Sequence, residues 1–571
     1  MHDNNPTAQD VRTPLLQHQH GTSPVGRPPV SRPKNKRRRS SFDASTYNST
    51  GQSPGYLKSA SSSLHDSACV AAAEPVPPGL SLFQMLGLTV CMAGVQFTWT
   101  VELSYGTPYL LSLNLSKELT ALVWLAGPLS GLLVQPLIGA FSDKCTSRFG
   151  KRRPFIVIAG FLTCLSMLGV AYAREIAHGF ASLQRTETDE LERLSRTYAI
   201  VVAVASFYFL DFTLNAVQAI CRALILDIPP LWQQDYANAW SARMSNSAMV
   251  IGYFVGFIDL VKYVPWLGDA QIKVFCVIAI TVFCLTLGIT CVTTHEKKLE
   301  EEQEVQPWYS TFVYIWRAFR YLPKPVQSLC NTQFFAWMGW FPFLFYSTQW
   351  VSDIYFANNP TSNTTPNWAD GTRAGSFALL CYSVVSVLAG LIIPAISTRF
   401  EKSHGWLSLT NIYTVSHLIV AGTLLSAWFV HSVTAATILL AIMGIPWAIV
   451  LWVPFSLVGE FVSYEDDRRQ HQSAALSPAD VTSSSPARLE DQQDDFDAGM
   501  ILGVHNMYIV FPQFAVAVIS AFIFAAADAA VGDNPDGKDE ASSVASVLAF
   551  GGLMALVAAA FSRSIVRVNQ Q

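Results

Sequence analysis

Asp211, Asn215, Gln218 and Arg222 recur at intervals of four, three and four residues in an otherwise apolar stretch, 197–222. At 3.6 residues per turn they fall on one helical face, with the first and last ~16 Å apart, too far for contact. Ionisable side chains inside a membrane-length apolar helix are costly unless a cavity or a partner receives them, so the stripe reads as a wall lining water. A carboxyl near the middle of such a helix, balanced between burial and a nearby cation, can take up a proton on one side and release it on the other. The alternative is a structural ion pair joining two helices. Arg222, near the end of the stretch, reads equally as a gate element, a partner for a carboxylate or an anchor at the membrane surface.

Glu102 is a second acid within an apolar run, and Tyr105, Gly106 and Pro108 beside it predict a broken or kinked helix end. Such breaks are tolerated where backbone lines a cavity; a purely structural carboxylate is the other reading. The stretch 327–356 carries Gln333, Trp337, Trp340, Gln349, Trp350 and Asp353. Aromatic faces and amides suit a sugar, whose C–H faces stack and whose hydroxyls need donors and acceptors. An interfacial aromatic belt is the alternative, stronger for Trp350 than for Trp337. His505, Asn506 and Gln513 add polar groups to 498–526, where a lone histidine is ordinarily a packing residue. The candidates for proton coupling with substrate binding are therefore Asp211, Arg222 and Glu102. Those for substrate contact are Asn215, Gln218, Gln333, Trp337, Trp340, Asp353 and Asn506.

No P-loop, H-E-x-x-H or G-x-S-x-G motif is present, so neither an enzyme nor ATP-driven transport is expected. The ten cysteines are scattered without a C-x-x-C pair and read as small buried hydrophobes rather than disulfides or a zinc site. No cofactor or metal is expected, only a proton as coupling ion.

The elements that must hold these residues follow from composition. The 571 residues are 51% hydrophobic and 14% charged. The charges crowd into the first 75 residues, short loops and two longer loops near 295–325 and 463–497. Between them lie apolar runs of ~20 residues or more, long enough to cross ~30 Å of hydrocarbon. The expectation is an all-α membrane protein with spans near 80–112, 118–141, 154–173, 197–222, 238–261, 272–293, 327–356, 372–397, 405–430, 433–462, 498–526 and 541–563. A disordered tail (1–79) precedes a six-helix bundle (80–293), a central loop (294–326), a second six-helix bundle (327–563) containing the loop 463–497, and a short tail (564–571). The net charge of −4 argues against a nucleic-acid partner. No signal peptide is recognisable, so the span near Leu80 is expected to act as its own insertion signal.

Lys144, Arg148, Lys151, Arg152 and Arg153 lie between spans two and three; Lys297, Lys298, Arg317, Arg320 and Lys324 follow span six. Arg399 and Lys402 follow span eight, and Arg468 and Arg469 follow span ten. Alternation puts all of these and both termini on one side, which the positive-inside rule makes cytoplasmic. The opposite side carries the sequons Asn114-Leu115-Ser116 and Asn363-Thr364-Thr365, and a 174–197 segment whose arginines are interleaved with acids. In the tail, Lys34 to Arg39 with Ser40 and Ser41 reads as a solvated basic stretch that helps set orientation, or as a lipid-headgroup contact under phosphorylation control.

Gly139-Ala140-Phe141-Ser142-Asp143-Lys144 and Arg148-Phe149-Gly150-Lys151-Arg152-Arg153-Pro154 resemble the signature loop of the major facilitator superfamily. The spacing S-D-x-C-T-S-R-F-G-x-R-R-P resembles its sucrose transporter branch, within the glycoside–pentoside–hexuronide:cation symporter group. Gly94-Val95-Gln96-Phe97, Thr107-Pro108-Tyr109, Trp340-Phe341-Pro342-Phe343, Arg373-Ala374-Gly375, Gly444-Ile445-Pro446 and Gly503-Val504-His505-Asn506 extend the resemblance over roughly 80–563. It implies two six-helix bundles with alternating access, and symport of sucrose or a related glucoside such as maltose with protons, in the plasma membrane. It also implies the proton-coupling and sugar-binding role for Asp211, which matches the family's fourth-span aspartate, and for Arg222 in Gln218-Ala219-Ile220-Cys221-Arg222-Ala223. Asp143, Arg148, Gly150, Arg152 and Arg153 form the loop read as a latch at the cytoplasmic face rather than a substrate site.

The chain departs from the plant pattern in three places. Ala219-Ile220 replaces Gly-Pro. Ser347-Thr348-Gln349-Trp350-Val351-Ser352-Asp353 stands where plant members read D-T-D-W-x-G-R-E. Glu102 replaces an uncharged residue, as in animal and fungal members. These changes predict a redistributed charge network. An organellar carrier of the same fold, a non-transporting sugar sensor and a membrane-embedded enzyme are the rival readings. Location, flux and a nucleophile–base pair would distinguish them; no such pair is present.

Overall fold

Long apolar runs have only one way to satisfy their backbone in lipid without an edge to close, which is the α-helix. The computed structural model describes residues 79–143, 145–183, 188–296, 322–359, 368–400, 408–461, 498–531 and 538–565. The basic tail, the second sequon and the loop 463–497 lie outside the described residues, as does most of the central loop.

Twelve helical segments follow in order: α1 (Leu82–Ser112), α2 (Lys117–Val123 continued by Ala126–Asp143), α3 (Arg153–Ala171), α4 (Thr188–Asp227), α5 (Gln234–Phe257) and α6 (Gln271–Thr293) make the first bundle. The second holds α7 (Lys324–Asn358), α8 (Trp368–Phe400), α9 (Leu409–Leu425), α10 (Val433–Phe461), α11 (Ala498–Val531) and α12 (Lys538–Ser562). Among the described residues, 10 of these are long and apolar enough to cross a membrane; α5 and α7 are the more polar pair. No strand occurs among the described residues.

Starts and breaks follow local chemistry. Ser81 and Gln84 form a capping box at α1, and Ser116, Ser408 and Ser432 cap α2, α9 and α10 by accepting from backbone N–H groups, satisfying donors that a helix start leaves open. Pro108, Pro136, Pro342, Pro394 and Pro512 lie inside α1, α2, α7, α8 and α11. The 174–197 segment, expected as a loop, is largely helical: Ala173–Ser182 forms a short helix and α4 begins at Thr188. Asp189 and Glu190 in its first turn and the Glu192–Arg196 pair at 3.2 Å favour this extension beyond the apolar run.

Exposed Phe161, Leu165 and Leu168 mark the lipid face of α3, as Val201 and Phe209 do on α4. Lipid supplies no hydrophobic drive between helices, so small residues and close packing join them. Gly339 of α7 and Gly551 of α12 face each other, and a Cβ on either would come 2.9 Å from the other's carbonyl oxygen. At the start of α1, Leu80 N–H donates to Gln233 Oε1 (2.7 Å) and Gln233 Nε2 donates back to Leu80 O (2.8 Å), tying the chain's entry to the turn before α5.

Candidate functional site

On α4 the stripe is present and graded. Asp211 is 2% exposed, Asn215 is buried, Gln218 is half-buried and Arg222 is exposed. Arg222 lies ~20° around the helix from Asp211, ~140° from Phe209 and ~60° from Val201 on the lipid face. The exposure of this polar face rises from Asp211 to Arg222, as water entering between the helices from that end and giving out before Asp211 would make it. The α11 helix has the same grading: Asn506 is exposed, Gln513 seven residues on is half-buried, and ~20° of helix rotation separates them. Both gradients open toward the end of the molecule that carries the basic α2–α3 loop.

Asn215 is fully engaged within its bundle. Its Nδ2 donates to Ser130 Oγ of α2 (2.7 Å) and to the Asp211 carbonyl (3.0 Å), and its Oδ1 accepts from Gln135 Nε2 (2.9 Å). It holds α4 against α2 and so positions Asp211. The Asp211 carboxyl lies within hydrogen-bonding reach of the Glu102 carboxyl from α1. Glu102 is also 2% exposed, and Asp211 Oδ1 and Glu102 Oε2 have no hydrogen-bond partner. Two carboxylates have acceptors only, so a hydrogen bond between them requires a proton on one. Arg222 makes no ion pair among the described residues. The charge pattern is thus a buried carboxyl pair with a cation further along one water-lined face.

On α7, Gln333 and Trp337 are buried one turn apart, and Gln333 Oε1 and Trp337 Nε1 lack partners. Gln333 Nε2 meets His505 Nε2 of α11 at 3.1 Å, and Phe455 packs on the His505 ring, consistent with a packing histidine. Trp337, Phe341 and Phe345 form a run of rings with centroids 5.2 and 5.5 Å apart. Trp340 is 1% exposed, walled in by Phe343 and Trp447. Asp353 lies near the far end of α7 and accepts from Gln349 Nε2 at 2.5 Å. The structure thus brings Asp211, Glu102 and Asn215 together and leaves Asp353 and Arg222 apart from them.

The bundles join at the end opposite the basic loop. Trp124 of α2 stacks on Phe345 of α7 at 4.2 Å and 12°. Trp124 Nε1 donates to Thr107 Oγ1, which donates to the Phe345 carbonyl (3.1 and 2.7 Å). Arg373 of α8 donates to Phe257 O (3.1 Å) and pairs with Asp259 after α5 (3.4 Å). Trp368 packs on Tyr105 and Tyr109, and Lys117 Nζ donates to Ser543 Oγ (3.2 Å).

The basic loop is held inside the first bundle. Arg152 is 5% exposed, pairs with Asp227 at the end of α4 (2.9 Å) and donates to Ser142 Oγ. Lys151 pairs with the same Asp227 at 2.9 Å. Glu296, after α6, accepts from the backbone N–H groups of Arg152 (2.7 Å) and Arg153 (2.9 Å) at the start of α3. Gly150 has φ +103°, and a Cβ there would lie 2.7 Å from Glu296. Arg148 is exposed, with its guanidinium 4.9 Å from the Phe149 ring centre; the Asp143 side chain lies outside the described residues. Sequence reasoning passed over Glu296 and Trp124, and marked Arg373 only as part of the family resemblance, without a role in joining the bundles. The only signals for them were an acid just beyond span six, a tryptophan inside span two and an arginine near the start of span eight.

No protein-family model matches the chain. It is 30% identical over 569 residues to the general alpha-glucoside permease of Schizosaccharomyces pombe, covering 87% of this chain and 95% of that one. It is 27% identical to sucrose transport protein SUT3 of Oryza sativa subsp. japonica (80% and 93% covered) and 29% identical to SUT1 of the same plant (78% and 83%). Among solved structures it resembles an inward-facing bacterial homolog of the human lysosomal transporter Spinster (TM-score 0.53, 12% identity, 85% and 97% covered). A D-xylose-proton symporter is similar too (TM-score 0.51, 13% identity, 85% and 98%). At these identities the structural likenesses establish the fold alone.

Proposed function

We propose, since this chain belongs to the sucrose transporter branch of the major facilitator superfamily, that it carries sucrose or a related α-glucoside such as maltose across the plasma membrane together with a proton. The observation that carries the reading is the contact between the buried Glu102 and Asp211 carboxyls, at the closed end of a water-accessible stripe. The basic loop end is cytoplasmic, with both termini, the 294–326 loop and the 463–497 loop on that side, so the present conformation is open inward and shut outside.

In the outward-open state the carboxyl pair takes up a second proton and becomes neutral. Sugar then binds between the bundles, near Gln333 and Trp337, whose unpartnered acceptor and donor suit hydroxyls. Sealing a net negative pair away from water is costly, and sealing a neutral one is not. Protonation therefore licenses closure, and in the inward-open state the pair, buried here at the end of the stripe, gives up its proton when water from the compartment with fewer protons advances along the stripe to reach it. Arg222, ~16 Å along the same stripe, lines the path by which the proton leaves. The lipid bilayer is the only other partner required.

The test is uptake of labelled sucrose and maltose by cells lacking disaccharide carriers and extracellular invertase, in acidic and neutral medium, with and without an uncoupler, for parent and Asp211→Asn. Surface expression is verified for both. Uptake that is acid-stimulated and uncoupler-sensitive in the parent, and no longer concentrative in the variant, supports the mechanism. Uptake indifferent to all three removes the coupling and leaves a sugar carrier; well-placed protein without uptake removes the sugar.

A further inference from the structure

The unoccupied acceptor on Asp211 has a neighbour from the other bundle. Gln513 follows Pro512 on α11 and reaches across to α2 at Gly127. A Cβ at Gly127 would lie 3.6 Å from Gln513 Oε1 and 3.8 Å from Asp211 Oδ1, ordinary contact distances to both. One polar group from each bundle therefore borders a single notch, which exists because residue 127 has no side chain. Asp211 is 2% exposed and its Oδ1 has no partner, while Gln513 makes no hydrogen bond among the described residues. Gly127 and Gln513 are half-buried, so the notch is reachable from the stripe described above.

A carboxyl oxygen and an amide facing one methyl-sized space are complementary to a hydroxyl. It can donate to the carboxyl and accept from the amide NH2, since an amide can turn either end to the ligand. We propose that Gln513 is a specificity-determining residue of the sugar site, and that it and Asp211 hold one sugar hydroxyl between them, one contact from each bundle. The inference rests on the sugar-transport reading. A site that hydrogen-bonds a hydroxyl discriminates against the analogue lacking it, because its own polar groups are then left unpaired. Gln513 also gives the second bundle a direct contact with a ligand on the proton-carrying residue of the first.

The experiment compares α-glucoside uptake with a panel of monodeoxy analogues for parent, Gln513→Leu and Gly127→Ala. In the parent, one hydroxyl position is expected to show a loss of about tenfold in apparent affinity on deoxygenation, the size of one hydrogen bond. In Gln513→Leu that penalty disappears and KM for the unmodified sugar rises by about the same factor. Gly127→Ala reproduces both effects by putting a methyl in the notch at ordinary contact distance. It also replaces a helical glycine with the best helix former, so it keeps the test decisive should the leucine variant fail to fold. Unchanged KM in Gly127→Ala, or identical deoxy penalties in parent and variants, overturns the proposal. A parent that reaches the surface and carries no α-glucoside overturns the transport reading, and the inference with it.

Discussion

Phe345→Ala should release the outer closure. In the present conformation Phe345 is 7% and Trp124 6% exposed, and their rings are stacked across the two bundles. Burying a phenylalanine side chain is worth about 1.5–3 kcal/mol, and an aromatic pair adds about 0.5–1.5 kcal/mol. An outward-open state separates the two bundles here, so truncation costs it little of either. The difference, about 2–4 kcal/mol, shifts the balance toward the outward-open state by roughly 30- to 1,000-fold at ~1.4 kcal/mol per tenfold. Thr107 is unaffected as a donor, because its acceptor is the Phe345 backbone carbonyl. The assay is a double electron–electron resonance distance between nitroxides at Leu119 and Ala529, both exposed near the outer ends of α2 and α11, in a cysteine-depleted background. A longer-distance population that dominates in the variant and is minor in the parent is expected. Superimposable distributions would refute the idea that this stack holds the outer end shut.

Glu102→Gln should keep a hydrogen bond to Asp211 while removing one titrating group. Sugar exchange is expected to persist and the acid stimulation of net uptake to change, measured as initial rate against external pH. Asp211→Asn should abolish accumulation but allow sugar counterflow in proteoliposomes, which an intact, uncoupled carrier still performs. Glu296→Ala strips the acceptor from two backbone donors and leaves Arg153 beside an empty space. A loss of about 3–5 kcal/mol is expected from breaking a buried charged contact, read as a lower Tm in detergent. Gly150→Ala should lower Tm too, since it strains a left-handed residue and presses on Glu296.

The stripe from Asp211 to Arg222 was legible because helical period alone puts those residues on one face. The break expected near Pro108 is absent, since α1 runs unbroken through Pro108 to Ser112, whereas the basic loop was legible from residue type. Contacts between spans were not. Nothing in the order of residues says that Glu102 meets Asp211, since they lie on α1 and α4 and meet only through packing. Asn215 reads in sequence as a free amide on a water-lined wall, whereas Ser130 and Gln135 of α2 occupy it. The 174–197 segment was misjudged because apolar content ends before the helix does, and there local ion pairs carry it on. Gln513 was visible as a polar residue in an apolar span, but its relation to Asp211 depends on the missing side chain of a glycine on a third helix.

The outer closure also sets the rhythm of the cycle. After its cargo has left, the empty carrier can reset only by parting the Trp124–Phe345 stack, the Thr107 bond and the Arg373–Asp259 pair together. Nothing bound in the centre then offsets that loss. Reorientation without cargo becomes the slow stroke. Sugar supplied on the inner side converts that stroke into a loaded return, so one-for-one exchange outruns net entry, and the carrier works as a valve whose throughput is governed by its homeward leg.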